Sequence, residues 1–292
     1  MKHVSNQYIH LSDINLAPLK RRTDANKGTH GSVAIIGGQE GMLGALLLAS
    51  RTAQLCGAGR VYAFSLSNNP PAVDNTFPEV MYRSLSELTY LSNSLSVLVV
   101  GTGMGKQQLA STWLATCLTQ PKPIIVDADA LNLIAENPDL AKLVRNRKAV
   151  TILTPHPGEA ARLLQQTVEK IQSNRISSAQ TIAKQFNCIC VLKGAESVCA
   201  NQIGEYWINP TGNPGLASAG TGDVLSGFIG ALVAQGLPVI DALKLGVYLH
   251  GLAADKLVEK GIGPIGLTAS EVALEIRKLL NTLLGCTLGA NY

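Results

Sequence analysis

The sequence predicts an α/β protein: a mostly parallel central sheet covered by helices on both faces. Three observations carry this expectation. Short apolar runs rich in β-branched residues alternate with stretches whose apolar residues fall at helical spacing. The polar or glycine clusters with chemical character, Gly101–Gly105, Asp127 with Asp129, His156 and Lys193, each follow such a run. That is the carboxyl edge, where open α/β sheets bind ligands. No linker rich in Pro, Ser or charge and no internal repeat divides the 292 residues. Residues 27–292 therefore read as one domain, and 1–26, polar and aperiodic, as an N-terminal arm.

Taken in order, SVAIIGG (32–38) is a strand closed by glycines, and MLGALLLASRTAQLCGAG (42–59) a helix stopped by Gly57 and Gly59. GRVYAFSL (59–66) is the next strand. SVLVVGTGMG (96–105) is a buried strand ending in a glycine loop, with a helix over 106–119. PIIVDADAL (123–131) is a strand ending in two aspartates, and TILTPHPGEAARLL (151–164) reads strand, loop, helix. A helical pattern covers 169–186, CICVLKG (188–194) is a strand, and SVCAN with EYWINP forms a hairpin around Gly204. The remainder is helical: 216–235, 239–259 and 269–284.

Composition narrows the function classes. Hydrophobic residues are 46% and charged residues 15%, the balance of a globular chain. Lys and Arg (24) exceed Asp and Glu (20) by only four, and Lys20-Arg21-Arg22 is the single basic run, so a nucleic-acid site is not expected. Aromatics at 4% leave no stacking platform for single strands. The six cysteines, Cys56, Cys117, Cys188, Cys190, Cys199 and Cys286, form no C-x-x-C pair. They read as small buried hydrophobes in a reducing compartment. Histidine spacing does not suit zinc. No h-region opens the chain and no apolar run reaches membrane-spanning length, so a cytoplasmic protein is expected.

The sharpest motif is AGTGDVLSGFIGAL (219–232). Gly220 and Gly222 free the backbone for a tight turn, and a helix begins near Asp223. First-turn amides have no internal partner, and with the helix dipole they make an anion hole at Gly220, Thr221 and Gly222. Asp223 at its mouth either caps the helix or orients and deprotonates a hydroxyl attacking a phosphoryl group. GTGMGK (101–106) is neither a P-loop nor a G-x-G-x-x-G fingerprint, since Val100, Lys106 and Gln107 break both. Lys193 at a strand end can meet phosphate as a point charge. Asp127 and Asp129 either share a face and hold magnesium through water, or Asp129 caps the following helix. His156, between Pro155 and Pro157, sits on a stiff loop.

AGTGDVLSG resembles the G-x-G-D segment of the ribokinase-like superfamily, in which the Asp is the base toward the phosphorylated hydroxyl. Within it the chain resembles the ADP-dependent NAD(P)H-hydrate dehydratase family. The segments that carry this are KGTHGSVAIIGG (27–38), GTGMG (101–105), VDADALNLIA (126–135), LTPHPGEAARLL (153–164), KGAESVCA (193–200) and NPGLASAGTGDVLSGFIGAL (213–232). Sugar kinases of the superfamily share GTGD but not TPHPGE.

The resemblance implies a three-layer ribokinase-like fold with Asp223 as catalytic base. Gly222 with neighbouring amides would hold the transferred phosphate, and Lys193, Gly194, Ala195, Glu196 and Ser197 would contact ADP or its product AMP. Ala45, Gly103 and His156 would line the site of hydrated NADH or NADPH beside Asp223. Asp127, Asn132 and Glu159 would play supporting roles around the phosphates and Mg2+, with no direct protein ligand of the metal assigned. The implied reaction dehydrates the S form of the hydrated cofactor while cleaving ADP, or ATP, to release phosphate. A separate NAD(P)H-hydrate epimerase is the expected functional partner, because only about 30 residues precede the first motif. A homotetramer is the expected assembly. Gly101-Thr102-Gly103 carries Thr where many relatives have Pro. Two other readings remain open: a small-molecule kinase of the hydroxymethylpyrimidine or hydroxyethylthiazole type, and a non-catalytic dinucleotide sensor.

Overall fold

A computed structural model of the chain describes residues 7–285; Cys286 lies outside them. The nine strands among these residues are β1 (Ser32–Gly37), β2 (Arg60–Ser65), β3 (Met81–Arg83), β4 (Val97–Val100), β5 (Ile124–Val126), β6 (Thr151–Leu153), β7 (Ile189–Leu192), β8 (Val198–Ala200) and β9 (Tyr206–Ile208). They form one sheet in the order β3-β2-β1-β4-β5-β6-β7-β8-β9. All pairings from β3 to β7 are parallel, and the β7-β8-β9 hairpins are antiparallel. Strands such as Val97–Val100 are apolar at every position because both faces of a parallel sheet are covered.

The pleat divides the core in two. Val33 and Ile35 face one cluster, formed with α1 (Leu43–Leu55), α9 (Thr221–Ala234), α10 (Val239–Glu259) and α11 (Ala269–Leu283). Ala34 and Ile36 face the other. It is built with α2 (Leu88–Leu91), α3 (Gln108–Leu118), α4 (Asp129–Glu136), α5 (Pro138–Asn146), α6 (Pro157–Leu164), α7 (Val168–Ser173) and α8 (Arg175–Gln185). The result is the expected helix–sheet–helix sandwich.

α9 is buried along nearly its whole length between α1 and the sheet. Its small residues make that possible. A Cβ on Gly227 would overlap the carbonyl oxygen of Ala49 on α1, and one on Gly230 would come 2.7 Å from Val99 Cγ2. Backbone oxygen in a helix cannot rotate away. Gly227→Ala is therefore expected to destabilise by at least about 1–3 kcal/mol and lower the thermal midpoint by several degrees; an unchanged midpoint by calorimetry would contradict this packing.

The structure refines several expectations. The strands and the three C-terminal helices lie where the apolar patterns place them, but the last long motif turns helical at Thr221, two residues before Asp223. The pattern over 169–186 is two helices, α7 and α8, divided at Asn174, and α5 and edge strand β3 were not legible. The N-terminal segment, polar overall, buries Ile9, Ile14 and Leu19 in the core. Tyr8 bridges Ile208 in parallel, covering the open edge of β9.

Candidate active site

The chain runs from β1 outward through β2 and β3, then returns to β4 on the other side of β1, which makes β1/β4 the switch point of the sheet. The loops there interlock: the amides of Gly38 and Gln39 donate to the carbonyls of Thr102 and Gly103 at 2.9 and 2.8 Å. Gly103 backs onto α1, where a Cβ would meet Met42 O at 2.6 Å and Ala45 Cβ at 3.0 Å. The sheet thus brings Ala45 and Gly103 together from distant segments.

Beyond them, along the carboxyl edges of β5, β6 and β7, lies a cavity of about 650 Å3. Asp127, His156, Glu159, Lys193 to Ser197, Gly220, Thr221, Gly222 and Asp223 all line it. Ala45, Gly103 and Asn132 are not among its lining residues. Asn132 lies in α4, its Oδ1 buried without a protein partner.

At the floor, Asp127 follows β5 and is 1% exposed. Its Oδ1 accepts from Lys193 Nζ at 2.6 Å and from the Ala128 amide at 2.9 Å, and its Oδ2 accepts from Ser226 Oγ at 2.7 Å. Burial alone would lower the lysine pKa, but Asp127 and Glu159 outweigh it and hold the ammonium charged. The pair lies directly beneath the start of α9: a Cβ on Gly222 would stand 3.3 Å from Lys193 Nζ.

That helix start is open. Gly220, the N-cap, has φ +85°, a left-handed conformation that glycine adopts without strain. No side chain caps the helix. The capping alternative for Asp223 is therefore not what the structure displays. Its carboxyl group is instead pushed up to about 7, first by burial, then by Asp127, with Lys193 opposing. An acid poised near neutrality in a cleft is suited to taking up a proton.

Asp127 and Asp129 do not share a face. Ala128 between them takes φ +51°, and Asp129 Oδ2 accepts from the Gly105 amide at 2.8 Å, tying the glycine loop to α4. Among the described residues no group of three or more His, Cys, Asp or Glu is arranged to hold a metal ion. Both Asp127 oxygens already accept hydrogen bonds, so this carboxylate is better placed to meet a cation through water than to ligate one directly.

His156 is the N-cap of α6. Its Nδ1 accepts from the Gly158 and Glu159 amides at 2.9 and 3.3 Å, while Glu159 returns a carboxylate to the His156 amide at 2.7 Å. With Nδ1 accepting, the ring proton sits on Nε2, 3.3 Å from Glu159 Oε1. Burial, Lys193 and Arg162 lower the imidazole pKa, and burial raises that of Glu159.

Sequence reasoning missed several residues. Arg175 on α8 donates to the carbonyls of Leu192 and Lys193, holding the strand end that carries Lys193. Asn209 and Thr211 form the far wall and bond to α10. The NPTGNPG stretch was a turn signal that marked that wall; nothing in the pattern of α10 singled out its docking residues.

The model of the family described as NAD(P)H-hydrate dehydratase matches residues 33–278. The chain belongs to the NAD(P)H-hydrate dehydratase family. It is 42% identical to the ADP-dependent (S)-NAD(P)H-hydrate dehydratase of Neisseria meningitidis, over 90% of this chain and 89% of that one. It is 38% identical to the bifunctional NAD(P)H-hydrate repair enzyme Nnr of Coxiella burnetii, over 90% of this chain but 53% of that one, so it spans about half of the bifunctional relative. Among solved structures it resembles the ADP/ATP-dependent NAD(P)H-hydrate dehydratase of Bacillus subtilis, co-crystallised with ATP/Mg2+ (TM-score 0.78, 29% identity, 91% and 94% of the two chains covered). In this dehydratase-family fold the cavity lies at the carboxyl ends of β5, β6 and β7, with the Lys193–Ser197 segment in its lining.

Proposed function

We propose that the protein dehydrates the S form of hydrated NADH and NADPH, driven by cleavage of ADP to AMP and phosphate. The observation that carries this reading is a buried carboxyl group poised near neutrality, Asp223, two residues beyond an open helix start underlain by a lysine. The dehydratase relative with 42% identity supports the choice of substrate and nucleotide.

Asp223 takes the proton of the ring hydroxyl, whose oxygen attacks the terminal phosphoryl group in line. The amides of Thr221 and Gly222 and the ammonium of Lys193 stabilise the charge that develops there. AMP leaves. The ring now carries phosphate in place of hydroxyl, a far better leaving group. The ring nitrogen lone pair expels it, and loss of a proton from the adjacent carbon restores the double bond. Gly194, Ala195, Glu196 and Ser197 hold the adenine nucleotide; Ala45, Gly103 and His156 hold the hydrated dinucleotide. Magnesium, if carried on the nucleotide phosphates, would supply further charge neutralisation there; Asp127 and Glu159 would hold it through water, with Asn132 in support.

We place the protein in the cytoplasm, as a homotetramer acting beside a separate epimerase, with residues 27–292 as its one catalytic domain. The five cysteines among the described residues are free and buried, which suits a reducing compartment. The assembly rests on the family resemblance.

The test is turnover of hydrated NADH with magnesium and either ADP or ATP, followed by the return of NADH absorbance. Restoration with ADP is expected. Inertness with both nucleotides would defeat the reading and direct the search to phosphorylation of hydroxymethyl heterocycles. The pH profile is a separate check. A base accepts a proton only when ionised, so kcat/KM, which reports the free enzyme, should rise with pH, reach half its plateau at about pH 7 and fall roughly tenfold per unit well below it. A profile flat from pH 5 to 8 would remove Asp223 from the role of base.

A further inference from the structure

Two turns of α10 reach both walls of the cavity. Asn209 Nδ2 donates to the Val247 carbonyl at 3.0 Å, and Thr211 Oγ1 donates to the Tyr248 carbonyl at 2.8 Å. Further along, Asp255 accepts from the Gly212 amide and the Asn213 side chain, both at 2.9 Å. Between these anchors of the far wall stands His250, 8% exposed, with Nε2 2.9 Å from the carbonyl oxygen of Thr221 at the start of α9.

A buried imidazole costs free energy unless its polar atoms are bonded. The carbonyl can only accept, so Nε2 carries the proton. Burial first, and the nearby Lys193 second, push the ring down to about 4, against the upward pull of the Thr221 bond. The ring is therefore a neutral donor at physiological pH.

The acceptor it grips matters. The carbonyl of Thr221 and the N–H of Gly222 belong to one planar peptide unit and point in opposite directions. Whatever fixes the first aims the second. The Gly222 amide lies in the first helical turn and has no intrahelical partner. Thr221 itself is tethered by Oγ1, which donates to the carbonyls of Leu216 and Ser218 at 2.8 and 3.0 Å. The Thr221–Gly222 peptide plane takes the His250 bond in addition to the helical bond that its carbonyl accepts from the Leu225 amide.

We propose that His250 is a positioning residue of the anion hole: by gripping the Thr221 carbonyl it aims the Gly222 amide at the terminal phosphoryl group of bound nucleotide. This rests on the reading of the helix start as a nucleotide phosphate site. A histidine that only fills the core would also bond its ring N–H, but to no particular effect on the Gly222 amide. The terminal phosphate would then feel its loss no more than the rest of the nucleotide.

The experiment is titration calorimetry of ADP and AMP, with magnesium, on wild type, H250L and H250Q. AMP lacks the phosphoryl group at issue. H250L is expected to weaken ADP roughly tenfold, the scale of one hydrogen bond to a charged group, and to leave AMP within about twofold. Glutamine offers an N–H donor at similar reach, so H250Q should restore the wild-type ratio. H250M replaces H250L if the latter does not fold. Equal weakening of both nucleotides, an unchanged ratio, or identical behaviour of H250Q and H250L each overturns the proposal. So does a wild type that does not distinguish ADP from AMP. A wild type that prefers ADP yet regenerates no NADH overturns the dehydratase reading and leaves the positioning role standing.

Discussion

Asp223→Asn is expected to lower the turnover of hydrated NADH by about 10²–10⁴-fold, the usual contribution of a positioned general base, while ADP binding and thermal stability hold. Asn has the shape of Asp but cannot accept the hydroxyl proton. Its neutrality is tolerated because the one charge Asp223 carries when ionised is already disfavoured there. Burial and the Asp127 carboxylate both oppose it. Lys193 keeps its counter-ion in Asp127, so the floor of the site is undisturbed. If anything the variant should be slightly more stable above pH 7, where wild type must hold a buried anion beside Asp127 and Glu159. NADH absorbance gives the rate, and calorimetry with ADP gives the binding. Retention of more than a tenth of wild-type kcat would show that another group takes the proton.

Lys193→Met is expected to lose both activity and stability. Methionine keeps the length of the stem and removes the charge. The Asp127 carboxylate, 1% exposed, is then left with Ser226 and the Ala128 amide and no cation. Removing one member of a buried ion pair costs about 3–5 kcal/mol, and the 19% exposure of the lysine side chain places the expectation at the lower end. ADP binding should weaken because the ammonium lies directly below Gly222. The pH dependence has a defined sign. Lys193 lowers the pKa values of Asp223 and Glu159, both already raised in the fold. Without it they rise further, so the acid limb of the kcat/KM profile moves above pH 7. A carboxyl group raised in the folded state destabilises when it ionises. The stability deficit of the variant should therefore be largest above pH 7 and shrink as pH falls through the folded pKa values toward the unfolded ones. Urea unfolding at pH 5.5 and 8.5 reads this directly. A deficit that is the same at both values would mean that packing, not charge, explains it.

The residues that the chain needs at its sheet edge are local in sequence, and that is why much of the site was legible. A strand buried on both faces must be apolar throughout, so Val97–Val100, Ile124–Val126 and Ile189–Leu192 announce themselves, and the first polar residues after them fall at the carboxyl edge of the sheet. The open helix start at Gly220 is equally local, since only glycine-rich sequence makes that turn cheaply. Even the close packing of α9 was readable in Gly227 and Gly230, though not the identity of Ala49 and Val99 as the groups they meet.

What the sequence by itself determined, then, is most of the order of strands and helices, the sheet edge at which the cavity lies, and the glycine turn that leaves the start of α9 without a side-chain cap. The tertiary structure alone decided which side chains meet. The separation of Asp127 from Asp129 depends on one backbone angle at Ala128, which neither carboxylate reports. Ser226 reaches Asp127 across 99 positions, and His250 reaches Thr221 from a helix whose apolar pattern gives no hint of a functional face. The polar N-terminal segment was legible only as an arm, yet Ile9, Ile14 and Leu19 are core residues. Periodicity reports how a segment meets its own layer. A hydrogen bond between segments far apart in the chain is set by the register of the sheet and the docking of its helices, and no local pattern encodes either.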